Sequence, residues 1–183
     1  MSNEDFFLGR KNQVKSITNF LNSNKNNAAL VYGRRRVGKT ELLKHCLNQN
    51  LSTSIYYECK ETSELNNVES FSEIISETFG LPPLAFNSFE ATLAFLYKQA
   101  TEKEIIVVID EYPYIRNVVK GLDSIIQTIV DKYKDTSKLM LILCGSFMSY
   151  MEEHVLAYEA PLYGRRKTQM KLLPFDFGET CIL

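Results

Sequence analysis

Residues Gly33 to Thr40 read G-R-R-R-V-G-K-T, which satisfies the phosphate-loop pattern G-x-x-x-x-G-K-[ST]. The two glycines let such a loop curl until its backbone N–H groups point at phosphate oxygens, and the following helix adds the positive end of its dipole. Lys39 supplies charge to the β- and γ-phosphates, and the hydroxyl of Thr40 is placed to bind the Mg²⁺ that bridges them. A tight glycine turn with an exposed lysine is the disfavoured alternative, because an apolar strand precedes the loop and a helical stripe follows it.

The predicted nucleotide-binding segment includes the variable positions of the loop and the start of the helix after it. Three adjacent arginines fill those variable positions and resemble a small nucleic-acid patch. Because a run this short more often solvates a loop, solvation is the favoured interpretation of their side chains. The whole predicted segment is Gly33, Arg34, Arg35, Arg36, Val37, Gly38, Lys39, Thr40 and Glu41.

A second candidate is the acidic pair Asp110 and Glu111, which follows the apolar run Ile105 to Ile109. A carboxylate at the end of a central strand can hold Mg²⁺ through water, and Asp110 is assigned this role. Glu111 is placed to act as general base toward the water that attacks the γ-phosphate. Such a pair taken alone more often solvates the end of a strand. Because a phosphate loop lies earlier in the same sheet, catalysis is the favoured interpretation here. The pair favours an ATPase over a P-loop kinase.

Ser146 is a third candidate, since it follows the apolar run Leu139 to Cys144 and Gly145. The carboxyl ends of parallel strands open on one crevice, so its hydroxyl could sense the γ-phosphate or orient water. An N-cap of the next helix is an equally good explanation, and the sequence leaves both open.

Apolar runs and helical stripes alternate along the chain and predict the elements that position these residues. Such alternation is typical of an α/β protein with a parallel sheet and helices on both faces. Strands are expected at Ala28 to Tyr32, Thr53 to Tyr57, Ile105 to Ile109, Leu139 to Cys144 and Thr168 to Leu173. Helices are expected where apolar residues recur at helical spacing. The first such pattern starts at Val14 and ends near Lys25, and others start at Leu42, Val68, Phe89 and Leu122. A further helix is expected at Ser146 to Glu153.

The composition is that of an ordinary globular domain. The 183 residues suit one domain with a substantial core, and a net charge of -1 implies no wholesale polyanion-binding surface. The 4 cysteines lie in apolar stretches without a C-x-x-C pair, so reduced structural thiols are expected. The longest apolar runs are too short to span a bilayer and no signal-peptide pattern is present, which predicts a cytoplasmic protein with no membrane partner.

These motifs resemble the archaeal-type P-loop ATPases of the AAA/STAND group. The phosphate loop of that family often reads GRRRVGKT, and its second motif often ends in D-E and an aromatic-Pro pair, as Asp110 to Tyr114 do here. The segments Phe6 to Arg10 and Pro161 to Arg166 are similar to two further family motifs, so the resemblance spans nearly the whole chain. It implies a three-layer P-loop NTPase fold whose central parallel five-stranded sheet has the order 5-1-4-3-2 and is flanked by helices.

The resemblance also implies further site residues and the identity of the ligand. In relatives the Gly-Arg segment lies beside the adenine and ribose, which implies that Leu8, Gly9 and Arg10 line the base pocket. An arginine in the region of Arg165 can approach the γ-phosphate or signal its presence, and surface solvation is an equal alternative. ATP or ADP with Mg²⁺ is the implied cofactor.

Relatives usually continue into a helical lid, a winged-helix module and often a nuclease-like region. The chain is therefore expected to be an ATPase core, residues 1–175, followed by the truncated start of a lid at 176–183. Because a lid excludes water from the site, slow turnover is expected without it. The expected function is ATP hydrolysis coupled to conformational change of C-terminal modules, which would contact a protein or DNA partner. The alternative is an ATP- or ADP-controlled signalling switch with little turnover.

Overall fold

A computed structural model describes residues 10–23, 27–155, 160–162 and 166–174. The described strands are β1 (Asn27–Tyr32), β2 (Thr53–Glu58), β3 (Ile105–Asp110), β4 (Leu139–Gly145) and β5 (Arg166–Lys171). They form one parallel sheet in the order β2-β3-β4-β1-β5. Read from the other edge this order is 5-1-4-3-2, so the predicted order and the three-layer α/β P-loop NTPase fold are confirmed.

The central strands β3 and β4 are buried along their whole length. Their β-branched and aliphatic residues suit a parallel strand that is covered on both faces. The two strands pair in register from Ile105 opposite Leu139 to Ile109 opposite Leu143. This register brings the residues that follow the two strands to the same edge of the sheet.

The helices form two layers over this sheet. Helices α1 and α2 pack with the face of the sheet that carries Ile106 and Val108, and α3 to α6 pack with the face that carries Val107 and Ile109. Successive residues of β3 therefore enter opposite cores, as the two-residue period of a strand requires. The helices are α1 (Lys11–Leu21), α2 (Lys39–Asn48), α3 (Glu64–Phe79), α4 (Phe89–Gln99), α5 (Tyr112–Val118), α6 (Leu122–Lys132) and α7 (Met148–Tyr150).

Two helices differ from the sequence-based expectation in extent. Helix α1 ends at Leu21 rather than near Lys25, because Asn22 and Ser23 already form a turn. The segment between β3 and β4 holds two helices rather than one, because Gly121 adopts a φ of 71° before α6 begins. Helix α5 spans only 7 residues, which is too short for a helical stripe to be recognised.

The segment after β4 also departs from the regular helix predicted for Ser146 to Glu153. A single turn, α7, continues into a π-helical turn at Met151–Val155. Strand β5 begins at Arg166 and ends at Lys171, two residues earlier than the predicted strand from Thr168 to Leu173.

The predicted division of the chain at residue 175 lies outside the described residues and stays a prediction. Cys46, Cys59 and Cys144 are buried and unpaired, which agrees with structural thiols, and Cys181 is outside the described residues. Within the described part of the chain, no helix combines the length and apolar character that a membrane crossing needs.

Candidate functional site

The loop from Gly33 to Gly38 joins the end of β1 to the start of α2. At Gly33 a side chain would not fit, because a Cβ atom there would lie 2.2 Å from the carbonyl oxygen of Leu172. The backbone N–H of Gly33 donates to Gly145 O over 3.3 Å, and the N–H of Leu172 donates to Tyr32 O over 2.7 Å. The loop is thus fixed between the last residue of β4 and the segment that follows β5.

The other end of the loop gives the turn that starts α2. Gly38 has a φ of 86° and occupies the N-cap position, while Arg36 also has a positive φ of 65°. Lys39 and Thr40 form the first turn of the helix, where backbone N–H groups lack partners within the helix. A loop that curls into a helix N-terminus in this way is an anion-binding arrangement.

Lys39 lies inside the loop and is only 6% exposed. Its Nζ donates to Gly33 O over 2.9 Å and to Arg34 O over 3.0 Å. A third bond, to Ser146 Oγ over 2.9 Å, links the loop to the end of β4. The ammonium group is therefore held at the place where the phosphate loop meets the crevice at the strand ends.

Thr40 and Asp110 are in direct contact, as their predicted shared role requires. Thr40 Oγ1 donates to Asp110 Oδ2 over 3.0 Å, and the backbone N–H of Glu111 donates to Asp110 Oδ1 over 2.8 Å. Asp110 is the last residue of β3 and is 3% exposed. A hydroxyl and a carboxylate are the oxygen donors that Mg²⁺ prefers, so this pair fits the ion.

Tyr56 also contacts Asp110, a contact that was not expected from the sequence. The Tyr56 hydroxyl donates to Asp110 Oδ2, the oxygen that also accepts from Thr40. Burial and the neighbouring carboxyl raise the pKa of Tyr56, so the phenol stays protonated and remains a donor. The ammonium of Lys44 lies 5.4 Å from the centre of the Tyr56 ring. No sequence motif marks this tyrosine, since its role depends on strand register.

Glu111 and Ser146 form the second contact between the strand ends. Ser146 Oγ donates to Glu111 Oε1 over 2.5 Å, and the Ser146 backbone N–H donates to Glu111 Oε2 over 3.3 Å. Glu111 has a φ of 49° and occupies the N-cap position of α5. The N-cap position of α7 belongs to Phe147, without a side-chain cap. The hydroxyl of Ser146 therefore serves the crevice rather than a helix N-cap.

A cleft of about 570 Å³ opens over these groups. It brings together residues of the phosphate loop, the first turn of α2 and the carboxyl ends of three strands. Glu58, at the end of β2, and Tyr114, in α5, were not predicted as site residues. The lining residues are Arg35, Arg36, Gly38, Lys39, Thr40, Glu41, Glu58, Glu111, Tyr114 and Ser146.

The remaining predicted loop residues have distinct positions. Val37 is buried in the core formed with α1 and α2, whereas Arg34 lines a neighbouring cleft of about 540 Å³. Arg34, Arg35 and Arg36 are all exposed, as expected of residues that solvate a loop. Arg35 additionally donates to Tyr114 Oη over 2.5 Å.

Arg10 is 3% exposed and lies against the phosphate loop. A terminal nitrogen of its guanidinium donates to Val37 O over 3.2 Å and to Leu173 O over 2.7 Å. These contacts hold the side chain beside the loop, and its predicted role in the base pocket stays a prediction. Leu8, Gly9 and Arg165 lie outside the described residues, so their predicted contacts stay predictions.

Two buried thiols flank the carboxylates. Cys144 is a residue of β4, and burial followed by the negative charge of Asp110 raises the thiol pKa well above its ordinary value. Burial likewise raises the pKa of Cys59, whose backbone N–H donates to Asp110 O over 2.8 Å. Both thiols are therefore neutral at physiological pH and add no negative charge beside Asp110.

The parallel sheet, the loop around Lys39 and the carboxylates at the C-terminal end of β3 define a P-loop nucleotide-binding domain. The model of a family described as an ATPase domain predominantly from Archaea matches residues 7–182. The chain belongs to this archaeal ATPase-domain family.

Relatives in sequence occur in Methanocaldococcus jannaschii. The protein named Uncharacterized protein MJECL04 is 34% identical over 172 residues, which cover 93% of this chain and 36% of that protein. The protein named Uncharacterized ATP-binding protein MJ0423 is 46% identical over 41 residues, 22% of this chain and 70% of that protein. The chain thus spans about a third of the length of the first of these relatives.

Solved structures with the same fold include three archaeal proteins. The Walker-type ATPase PABY2304 of Pyrococcus abyssi matches with a TM-score of 0.67 at 23% identity, over 97% of this chain and 56% of that one. Cdc6p of Pyrobaculum aerophilum matches with a TM-score of 0.65 at 14% identity, over 93% and 46%. The ORC1 protein of Aeropyrum pernix, solved in complex with DNA, matches with a TM-score of 0.66 at 16% identity, over 93% and 46%. At these identities the likeness shows the fold.

Proposed function

We propose that the chain binds ATP with Mg²⁺ and hydrolyses it, with Glu111 as the general base. The main support is that Lys39 and Glu111 meet at one hydroxyl. Ser146 Oγ accepts from Lys39 Nζ over 2.9 Å and donates to Glu111 Oε1 over 2.5 Å. Lys39, the cation for the phosphates, and Glu111, the carboxylate for the attacking water, thus lie on either side of the Ser146 hydroxyl at the edge of the phosphate loop.

The binding half of the proposal assigns the phosphates to the loop. The backbone N–H groups of the loop and of the first turn of α2, with Lys39, would hold the β- and γ-phosphates. Thr40 and Asp110 would hold Mg²⁺, directly and through water respectively. When bound, the ion would neutralise part of the negative charge on these phosphates.

The hydrolytic half assigns the water to Glu111. The oxygen of a water molecule attacks the γ-phosphorus while the Glu111 carboxylate accepts its proton. The bond from the γ-phosphorus to the β-γ bridging oxygen breaks, the electron pair stays on ADP, and inorganic phosphate is released. The bond from Ser146 Oγ orients the Glu111 carboxylate for this step, and slow turnover is expected of the core when no lid closes over the cleft.

A titration with ATP and Mg²⁺, with phosphate release followed in parallel, tests both halves. Lys39→Ala should weaken ATP binding by about tenfold or more, since it removes a charge-assisted phosphate contact. Glu111→Gln should keep ATP binding and lower phosphate release by about 10²- to 10⁴-fold, since an amide cannot accept the proton.

Glu58→Gln is the matched control for Glu111→Gln. It makes the same substitution in a carboxylate that lines the same cleft from the neighbouring strand β2. Phosphate release should stay close to wild type in this variant. Wild-type turnover in Glu111→Gln would refute the base assignment, and a wild-type chain that does not bind ATP would refute the proposal as a whole.

A nucleotide-controlled switch with little turnover is the second candidate. The observation that favours it is that one residue occupies both oxygens of the Glu111 carboxylate, through the hydroxyl and the backbone N–H of Ser146. A base restrained in this way would leave ATP bound for long periods. ATP that stays bound through purification, together with phosphate release no faster in wild type than in Glu111→Gln, would support the switch over the ATPase.

The finer placement and the partners are further parts of the proposal. We assign the chain to the AAA/STAND group on its motifs and to the cytoplasm.

We propose that the nucleotide state moves modules joined to this domain, which then contact protein or DNA. The related fold of Aeropyrum pernix ORC1, solved in complex with DNA, supports a DNA partner. Fluorescence anisotropy can measure the binding of duplex DNA with ATP, with ADP and without nucleotide. Equal DNA affinity in the three conditions would argue against coupling between the nucleotide state and DNA binding.

A further inference from the structure

A second set of side chains lies beside the contact between Ser146 and Glu111 and comes from the same strand ends. Tyr114 lies three residues after Glu111, Phe147 follows Ser146 directly, and both contact Arg35 of the phosphate loop. The Arg35 guanidinium donates to Tyr114 Oη over 2.5 Å and lies 5.5 Å from the centre of the Phe147 ring. The two ring centres are 5.9 Å apart in an edge-to-face arrangement. These contacts join the loop to both strand ends.

The contacts hold the guanidinium at the cleft. Arg35 and Tyr114 line it together with Lys39 and Glu111. Phe147 remains 44% exposed although it is large and apolar, so its position is not explained by burial. A ring face and a phenol oxygen are both favourable partners for a planar cation. The arrangement directs an otherwise free loop arginine toward the crevice.

The negative charges around the cleft explain why a second cation, the Arg35 guanidinium, would help a triphosphate to react there. Glu41, Glu58 and Glu111 line the cleft, and Asp110 directly precedes Glu111 and bonds to its backbone N–H. A triphosphate that binds beside these carboxylates meets repulsion that Lys39 and the proposed Mg²⁺ offset in part, and the repulsion grows as charge builds up in the transition state. A second fixed cation at the same edge would offset part of it.

We propose that Arg35 is an arginine that the chain itself supplies to the γ-phosphate, and that Tyr114 and Phe147 position it. This inference rests on the proposed ATP hydrolysis. During hydrolysis the guanidinium donates N–H groups to oxygens of the transferring phosphoryl group and stabilises their charge. The Tyr114 hydroxyl oxygen accepts one N–H group of the Arg35 guanidinium and leaves the other N–H groups for the phosphate. Arg35 thereby acts on the transition state more than on bound ADP.

The test compares ADP with its transition-state complex. Binding of ADP with Mg²⁺, with and without fluoroaluminate, is measured for the wild type and Arg35→Ala, and phosphate release is measured on the same proteins. We expect Arg35→Ala to lower phosphate release by about 10- to 100-fold and to weaken the fluoroaluminate complex to a similar degree. Affinity for ADP alone should change by less than about threefold, since only the transition state needs the added charge.

Lys120→Ala is the control. It removes an exposed cationic side chain from the segment between α5 and α6, which does not line the cleft. Phosphate release and fluoroaluminate binding should both stay within about twofold of wild type, as is usual for an exposed residue away from the chemistry.

Tyr114→Phe tests the positioning role because it removes the hydroxyl and keeps the ring. We expect a loss of about three- to tenfold in phosphate release in the wild-type background, in the range of one hydrogen bond. In the Arg35→Ala background the same change should have no further effect, because the two residues act through one contact. Arg35→Lys should recover only part of the rate, since an ammonium keeps the charge but loses the fork.

The outcomes separate this inference from the proposed function. Wild-type phosphate release and fluoroaluminate binding in Arg35→Ala would overturn the role of Arg35 and leave the ATPase standing. Equal losses in Lys120→Ala and Arg35→Ala would also overturn it, because a general effect of surface charge would explain both. If the wild-type chain binds neither ATP nor ADP, the proposed function fails and this inference fails with it.

Discussion

Ser146 contacts both oxygens of the Glu111 carboxylate, one through its hydroxyl over 2.5 Å and one through its backbone N–H over 3.3 Å. The two residues directly follow β4 and β3, which pair in register along their length. The sheet, rather than a loop alone, therefore sets the orientation of the proposed base.

Ser146→Ala should lower phosphate release by about tenfold while ATP affinity changes little, since it removes one hydrogen bond that orients Glu111. Ser146→Thr keeps the hydroxyl and is the matched control, with a rate close to wild type. Phosphate release under saturating ATP and Mg²⁺ gives the measurement. A faster Ser146→Ala variant would show instead that the serine restrains the base.

Tyr56→Phe should weaken the dependence of ATP binding on Mg²⁺, because the phenol orients the Asp110 oxygen that also accepts from Thr40. The Mg²⁺ concentration needed for half-maximal ATP binding should rise by about three- to tenfold, as the loss of one hydrogen bond to a charged group implies. Tyr57→Phe is the control, since the neighbouring phenol donates to Asn67 over 2.6 Å, away from the site. An unchanged Mg²⁺ titration in Tyr56→Phe would argue that Asp110 is oriented without the phenol.

The two loop glycines should tolerate alanine to different degrees. Gly33→Ala places a Cβ atom 2.2 Å from Leu172 O, so the free energy of unfolding should fall by about 3 kcal/mol or more as β5 is displaced. Gly38→Ala has open space around the new Cβ but a φ of 86°, which costs about 1–2 kcal/mol. Urea unfolding of the two variants makes the comparison. A smaller loss for Gly33→Ala than for Gly38→Ala would contradict the close approach to Leu172.

Stability should decline at alkaline pH as the buried thiols ionise. Burial raises the pKa of Cys46 from 9.0 to about 11. A raised pKa in the folded state means that its contribution is complete below about pH 9 and is lost as the pH rises through about 11. Urea unfolding across this range should show a shallower decline for Cys46→Ala than for wild type. An identical pH dependence would mean that the Cys46 thiol does not ionise differently on unfolding.

The phosphate loop could be predicted because its chemistry is local in sequence. Gly33, Gly38, Lys39 and Thr40 lie within eight positions, and the strand and helix around them follow from apolar patterning. Asp110 and Glu111 could be predicted for the same reason, since they directly follow a continuous apolar run.

Tyr56 could not be predicted because its contact depends on strand register. Tyr56 pairs with Val108, two positions before Asp110, and its ring lies on the face of the sheet that carries α2. The next residue, Tyr57, points to the opposite core and bonds to Asn67. A shift of one residue would exchange the two rings, and composition alone does not distinguish the registers.

The contacts of the loop arginines also could not be predicted from local sequence patterns. Their run in the sequence indicates solvation, and the three side chains are exposed. The partner of Arg35 is Tyr114, which lies 79 positions away in a helix too short to be recognised. Only the assembled sheet brings these two residues together.

Arg10 and Leu173 lie 163 positions apart, and a single guanidinium nitrogen joins Leu173 O to Val37 O of the phosphate loop. Leu172, in turn, approaches Gly33 so closely that no side chain fits between them. Tension applied between these distant segments would therefore reach the loop directly, in addition to the pairing of β1 with β5. A ligand that stiffens the loop would stiffen this mechanical connection as well, so the nucleotide site would also transmit force between the two segments.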